Sequence, residues 1–416
     1  MNQTDDSYVL SEIHKCQDNF INSSVLLGSA NIPYTRIKEV NNYLLDYNAA
    51  EGTRKKRLFP GCNELNQIEE YGEELLNKLF RTHTHYHVSF DPISGTQANQ
   101  IVYNAILNKG DCILALSEKS GGHLSHLDYL KRFYDVYEYN YDEYIHDLDY
   151  TQIDKLCSMY RPKLVIAGAS SFPLKIKYDI IGEICNKYGC LLLADISHTV
   201  LYILCEKHVN PFYYADFISF TTHKTTRGPR GAILAYKPHF KREIEYSIFP
   251  VSQGAPIYSQ ICSKVLMLEE LSKDNLNKYC ERILDLSATF INKLKCSNIS
   301  LWINHTDSHI CVMDVSKNYK NAMSLQHIYE RNNIFVTACF LPNDKDIMTG
   351  LRFGFMMLAT LNITNADFEK LVNIIICIYQ NPSINYCESV SKIMNPYYHK
   401  ILDIRRENNE KCRTYC

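Results

Sequence analysis

The sequence predicts an α/β fold, with a mostly parallel sheet in a large domain and a smaller α+β domain behind it. Three observations predict it. The chain has 416 residues, enough for two domains and a large core. Strand and helix patterns alternate from Cys112 to Tyr236, as parallel strands joined by helical crossovers require. Runs such as Lys163 to Gly168 are apolar throughout, which suits a sheet covered on both faces. Composition then excludes several function classes. The net charge is −2 and no long basic run occurs, so neither DNA nor a membrane surface is an expected partner. No apolar run reaches bilayer length. Met1 to Asp6 is acidic and lacks the apolar stretch of a secretory signal or the arginines of a transit peptide. Sixteen cysteines without regular spacing read as reduced thiols, which points to the cytoplasm; an upstream presequence would redirect the chain to mitochondria. Cys412 and Cys416 have no partners that suggest zinc.

In chain order, residues 7–20 read as a helix, followed by the small-residue loop Leu27-Gly28-Ser29-Ala30-Asn31. Ala49-Ala50-Glu51-Gly52, a basic patch from Arg54 to Arg57, and Leu58-Phe59-Pro60-Gly61-Cys62 come next. Asn63 to Phe80 has an apolar stripe at helical spacing, with Asn63 as the expected N-cap. His83, His85 and His87 alternate, so a strand would put them on one face. No fourth metal ligand is evident, and a partly exposed strand face without metal is the expectation. Ile257 to Leu294 reads as one long helix leading to the smaller domain. Residues after about 383 form a tail that the pattern does not place.

Four stretches carry chemistry. Val88-Ser89-Phe90 runs into Ser94-Gly95-Thr96-Gln97-Ala98-Asn99 and a helix through Leu107. A strand, a Gly/Ser/Thr turn and a helix start form an anion site, although ordinary helix capping uses the same residues. Asp195 ends the apolar strand Leu191 to Ala194, with His198 just beyond. A buried aspartate needs a cationic partner, and a protonated pyridine nitrogen would serve; a plain N-cap is the other reading. Asp216 to Phe220 reads as a buried strand, followed by Thr221-Thr222-His223-Lys224-Thr225-Thr226 and the turn Arg227-Gly228-Pro229-Arg230-Gly231. A lysine held there is desolvated and becomes a neutral nucleophile suited to pyridoxal phosphate; a surface lysine in a polar turn is the alternative. Gly350-Leu351-Arg352 offers an arginine fitted to a carboxylate, or a structural one at the core edge.

The Thr-Thr-His-Lys-Thr stretch before Arg-Gly-Pro-Arg-Gly closely resembles the cofactor-lysine motif of the serine hydroxymethyltransferase family. The likeness extends from about Leu27 to Asp367, through Ser-Gly-Thr-Gln-Ala-Asn, Gly121-Gly122-His123-Leu124-Ser125-His126, Asp195-x-x-His198, Phe249-Pro250 to Pro256 and Thr306 to His309. It implies a fold-type I pyridoxal-phosphate enzyme with a seven-stranded, mostly parallel sheet. The implied domains are an N-terminal helix and arm (1–30), a large cofactor-binding domain (31–275), and a small C-terminal domain with tail (276–416). The implied reaction interconverts serine and tetrahydrofolate with glycine and 5,10-methylenetetrahydrofolate, in a homodimer or homotetramer with shared active sites. Matched residue by residue, Lys224 carries the cofactor, Asp195 faces the pyridine nitrogen and His123 stacks on the ring. Ser94, Gly95 and Thr96 cradle the phosphate, and Gly254 reaches it from the neighbouring subunit. Ser170, His198 and His223 contact the cofactor, and Thr221 and Glu51 join the catalytic set, with Glu51 the acid/base. Ser29 and Arg352 hold the serine carboxylate, and Leu124 contacts folate. Ala30, Ala49, Phe59, Ala255, Ala338, Cys339 and the Phe355-Met356-Met357 stretch depart from the family pattern. They raise two further readings: a folate-independent aldolase acting on β-hydroxy amino acids, and a catalytically impaired paralogue that works by binding a partner.

Overall fold

In the computed structural model, which describes residues 7–413 and side chains through 403, seven strands form the central sheet. Met1 to Asp6 and the side chains of Cys412 and Cys416 lie outside the described residues. The spatial order is His87–Ser89, Ala232–Tyr236, Phe217–Thr221, Leu191–Asp195, Leu164–Gly168, Cys112–Leu116, Asp135–Tyr139. Only Ala232–Tyr236 runs against its neighbours. The strands Leu164–Gly168, Phe217–Thr221 and Ala232–Tyr236 are buried at every position, as a sheet covered on both faces requires. The α/β expectation holds, and the parallel strands all point their C-terminal ends to one edge of the sheet. At that edge Asp195 pairs with Gly168 and Ser219. A Cβ on Gly168 would lie 2.7 Å from the Cβ of Asp195, so only glycine lets the two strands close up there.

A second core lies behind the first. Val25, Leu26 and Ile32 from the N-terminal segment pack with Ile283, Phe290, Phe353 and Leu371. Ser24–Val25 pairs in parallel with Ile334–Phe335, and Ile310–Asp314, Gly350–Gly354 and Thr337–Cys339 form a three-stranded antiparallel sheet.

Several local expectations change. The stretch from Ile257 to Leu294 is two helices, Tyr258–Lys273 and Leu276–Cys296. Asp274 is extended, and the Asn275 side chain accepts the Lys278 N–H at 3.2 Å, so a short polar side chain restarts the helix. Asn63 is the first helical residue of Asn63–Leu79 and Cys62 is its N-cap, with no side-chain cap bond. Only His87 of the three alternating histidines lies in a strand. The basic patch is not a free surface: Arg57 pairs with Glu69 at 2.6 Å and Arg54 with Glu73 at 2.7 Å, tying the hairpin to the following helix.

The tail is a helix, Cys387–Arg413. Val390, Met394 and Tyr398, four residues apart, are buried against the second core, and Phe20 of the first helix meets Tyr398 edge-on at 5.3 Å. Met394→Ala is therefore expected to cost about 2–5 kcal/mol in a urea unfolding series, whereas exposed Lys392→Ala costs about 0.5 or less. Equal effects of the two would mean that this helix does not dock.

Candidate active site

The converging strand ends supply the site. Ser94 N-caps the helix Gly95–Ile106 by accepting the Gln97 N–H at 3.1 Å, which leaves the first free N–H groups beside Gly95 and Thr96. Cys112–Leu116 leads to His123, Leu164–Gly168 to Ser170, Leu191–Asp195 to Ser197 and His198, and Phe217–Thr221 to His223 and Lys224. Together with Ser29 these residues line one cavity of about 250 Å3 that holds both Asp195 and Lys224. A second cavity of about 260 Å3 shares Ser29, His123, Ser170, His198 and Lys224 and adds Leu124, Cys339 and Arg352.

The two key groups are treated oppositely. Asp195 accepts from Asn99 at 2.9 Å, His126 at 3.1 Å and the Ser197 N–H at 3.1 Å. Burial alone would raise its pKa, but the His126 bond and charge win and hold it well below the usual carboxylate range. Lys224 is 7% exposed, and its Nζ lies 3.0 Å from His198 Nε2. Burial brings the amine down to about 8, against the pull of Asp195 and with the push of Arg352.

A chain of bonds fixes the tautomers behind the lysine. The Gly28 carbonyl can only accept, so His309 Nε2, 3.1 Å away, carries a proton. His309 Nδ1 then accepts from the Tyr202 hydroxyl at 3.1 Å. His198 Nδ1, 3.2 Å from His309 Nε2, must accept, which puts the His198 proton on Nε2, facing Lys224. Burial holds both imidazoles neutral, His309 down to about 3. Above its pKa of about 8 the Lys224 amine is neutral and can accept this last N–H.

The remaining groups are poised for ligands. Thr221 Oγ1, His223 Nδ1 and Arg352 Nε are buried and have no hydrogen-bond partner among the described residues. Arg352 Nη1 donates to the Ser170 carbonyl at 2.8 Å, which fixes the guanidinium and leaves its Nε edge free. His123 Nδ1 accepts the Ser125 N–H at 3.2 Å, and burial lowers its pKa to about 4, so the ring is a flat neutral wall. These residues fit pyridoxal phosphate. There is an amine, a locked carboxylate with one acceptor position left on Oδ1, a helix N-terminus with hydroxyls, and orphaned donors between them.

The sequence-derived residues Lys224, Asp195, His123, Thr221, Ser94, Gly95, Thr96, Ser170, His198, His223 and Ser29 are brought together; Arg352 and Leu124 line the adjoining cavity. Glu51 and Gly254 are not among the lining residues. They meet each other instead: a Cβ on Gly254 would lie 3.6 Å from Glu51 Oε1. Sequence reasoning assigned no task to Asn99, His126, Ser197, Tyr202 or His309. Asn99, His126 and His309 stood inside quoted motifs, which was the available signal; Tyr202 gave none.

The family model described as "Serine hydroxymethyltransferase" matches residues 2–375. Similar curated proteins carry the name serine hydroxymethyltransferase. One from Mesoplasma florum is 31% identical over 88% of this chain and 90% of its own length. One from Mycoplasma mycoides subsp. mycoides SC is 30% identical over 88% and 90%. One from Phytoplasma australiense is 32% identical over 88% and 91%.

The lowered amine predicts a pH profile. Labelling of Lys224 by a small aldehyde reagent, read by mass spectrometry of the trapped adduct, should rise with a midpoint near 8. A midpoint close to the ordinary lysine value of about 10.4 would mean that the amine is solvated.

Proposed function

The chain belongs to the serine hydroxymethyltransferase family, and from that premise we propose how its residues divide the work. The enzyme is a pyridoxal-phosphate-dependent transferase interconverting serine and tetrahydrofolate with glycine and 5,10-methylenetetrahydrofolate. Family membership over most of the chain favours this activity over the folate-independent aldolase and the impaired paralogue. The observation that supports the residue assignment is the single cavity holding a lysine whose pKa burial lowers to about 8, an ionised aspartate and a helix N-terminus.

Pyridoxal phosphate, when bound, supplies the electron sink for the bond broken at the serine Cα. Lys224 is the amine that holds it. Ser94, Gly95 and Thr96 bind its phosphate through hydroxyls and free backbone N–H groups. Asp195, kept ionised by Asn99, His126 and Ser197, holds a proton on the pyridine nitrogen. His198 and His223 border the amine, and His123 closes one wall. Arg352 offers its free Nε edge to the serine carboxylate, with Ser29 as a second donor and Ser170 as the anchor of the guanidinium. The Thr221 hydroxyl, unpartnered in the cavity, holds a proton close to Lys224. Leu124 at the half-open mouth, with Ala338, Cys339 and Phe340, is the surface offered to folate.

Glu51 and Gly254 serve a site other than their own chain's. We assign them to the partner subunit's cavity, Gly254 near the phosphate and Glu51 as the acid/base of transfer, in a homodimer or a pair of dimers. Residues 31–275 then act as the cofactor-binding unit and 276–416 as the small unit, with 1–30 as an arm. The fourteen cysteines among the described residues are free thiols, which supports a cytoplasmic setting.

Mixed subunits test the shared site. Lys224→Ala and Glu51→Gln chains, each inactive alone and the first also lacking the visible absorption of bound cofactor, are mixed in equal amounts after dissociation. About a quarter of wild-type activity should return, because half of the dimers regain one complete site. No recovery, with mixed dimers demonstrated by tag capture, places Glu51 and Lys224 in the same subunit's site. Separately, Arg352→Ala should raise the serine KM about 10- to 100-fold, the loss of a charged hydrogen bond, with far less change in cofactor affinity. A larger loss of cofactor than of serine binding would move Arg352 out of the substrate pocket.

A further inference from the structure

At the sheet edge away from the active site, Glu73, His85 and His87 converge. Glu73 lies on the helix Asn63–Leu79, His87 opens the strand His87–Ser89, and His85 sits in the turn between. His85 Nε2 is 3.0 Å from Glu73 Oε1, and His87 Nδ1 is 3.3 Å from the same oxygen. All three ligand atoms lie within 4.8 Å of one another. The carboxylate divides its work. Oε2 accepts from Arg54 at 2.7 Å and from the Val88 N–H at 2.7 Å, which neutralises one oxygen and fixes the group. Oε1 is left to face two imidazoles. His83, expected on the same face from spacing, is instead stacked on Tyr213 at 4.1 Å. The third member of the group is therefore Glu73 from the preceding helix, which the alternation of the histidines does not show.

We propose that Glu73, His85 and His87 form a binding site for a borderline divalent transition cation, Zn2+ foremost. Two imidazoles and one carboxylate are a donor set for such ions and a poor one for Mg2+ or Ca2+. Ligands at about 2.1 Å in a tetrahedral array stand roughly 3.4 Å apart, and the two distances to Oε1, 3.0 and 3.3 Å, lie a little inside that. Binding needs the two imidazole nitrogens to close on one another and each ring to carry its proton on the far nitrogen, Nδ1 of His85 and Nε2 of His87. Glu73 and His87 border a cavity of about 590 Å3, whose further acidic groups, Glu70, Glu74 and Glu245, balance Arg54 and its lysines. The ion would clamp the edge strand to the helix, immediately before the phosphate cradle in the chain. It does not enter the transfer chemistry.

Calorimetric titration of the full-length holoenzyme with Zn2+ should give one site per chain, and saturating Zn2+ should raise Tm. His85 is half-exposed, so His85→Ala leaves the fold intact; it should weaken Zn2+ at least 10-fold and remove the Tm rise, while His83→Ala matches wild type. Co2+ supplies the second readout, because the chain is rich in thiols. A bound Co2+ spectrum without a near-ultraviolet sulfur-to-metal band supports the site. The proposal fails if wild type takes up no Zn2+ at sub-millimolar concentration, if His85→Ala binds it as tightly, or if the sulfur band appears.

Discussion

The site rests on unequal solvation of two buried groups. Burial disfavours charge on any side chain, and Lys224 and Asp195 are both buried. Asp195 receives three donors in place of water and stays ionised. Lys224 meets a neutral imidazole at 3.0 Å and, among the described residues, no carboxylate within bonding distance, so the pull of Asp195 offsets the desolvation only in part and the proton is lost more easily. Moving either partner would undo the contrast: a carboxylate beside Lys224 would charge the amine, and an apolar residue in place of His126 would leave Asp195 short of a donor. The fold arranges this cheaply, since parallel strands end at one edge and each ending carries its residue outward into the same space.

The imidazole chain extends this constraint into the second core. His198 belongs to the sheet domain, while His309 precedes the strand Ile310–Asp314, and the carbonyl that fixes its tautomer is Gly28 of the N-terminal segment. The proton position beside Lys224 thus depends on three separate stretches of chain being docked together. Arg352 shows the same dependence, because it stands on the second sheet yet donates to Ser170 of the first. The second cavity lies along this seam. Its outer wall carries Ala338, Cys339, Phe340 and Met348, and burial keeps the Cys339 thiol neutral, near 11, beside the Arg352 guanidinium. That wall is largely apolar, and Ala338 and Cys339 on it are two of the positions where the motif resemblance fails.

Much of the fold was legible because the five inner strands of the central sheet are short, mostly apolar runs ended by a turn or a functional residue. The lysine, aspartate and helix-start motifs were legible because their chemistry demands local sequence: a strand, then a turn, then the group. What stayed hidden depended on contacts distant in sequence. The break at Asp274-Asn275 has no proline or glycine, and only the cap made by Asn275 reveals it. The tail helix has a narrow apolar stripe, which becomes meaningful only against a core assembled from distant stretches, among them Val25, Leu26, Ile283 and Leu371. The seating of Asp195 by Asn99 and His126 joins two motifs that sequence reading treated as separate tasks.

The pairing of Ser24–Val25 with Ile334–Phe335 has a bearing on biosynthesis. During translation the arm leaves the ribosome first, yet the strand that receives it is made roughly 300 residues later, some tens of seconds at ordinary elongation rates. Val25, Leu26 and Ile32 have no completed core until then. The nascent chain therefore carries an unsheltered apolar segment through most of its synthesis, a natural handle for a chaperone and a reason why its final closure must be post-translational or nearly so.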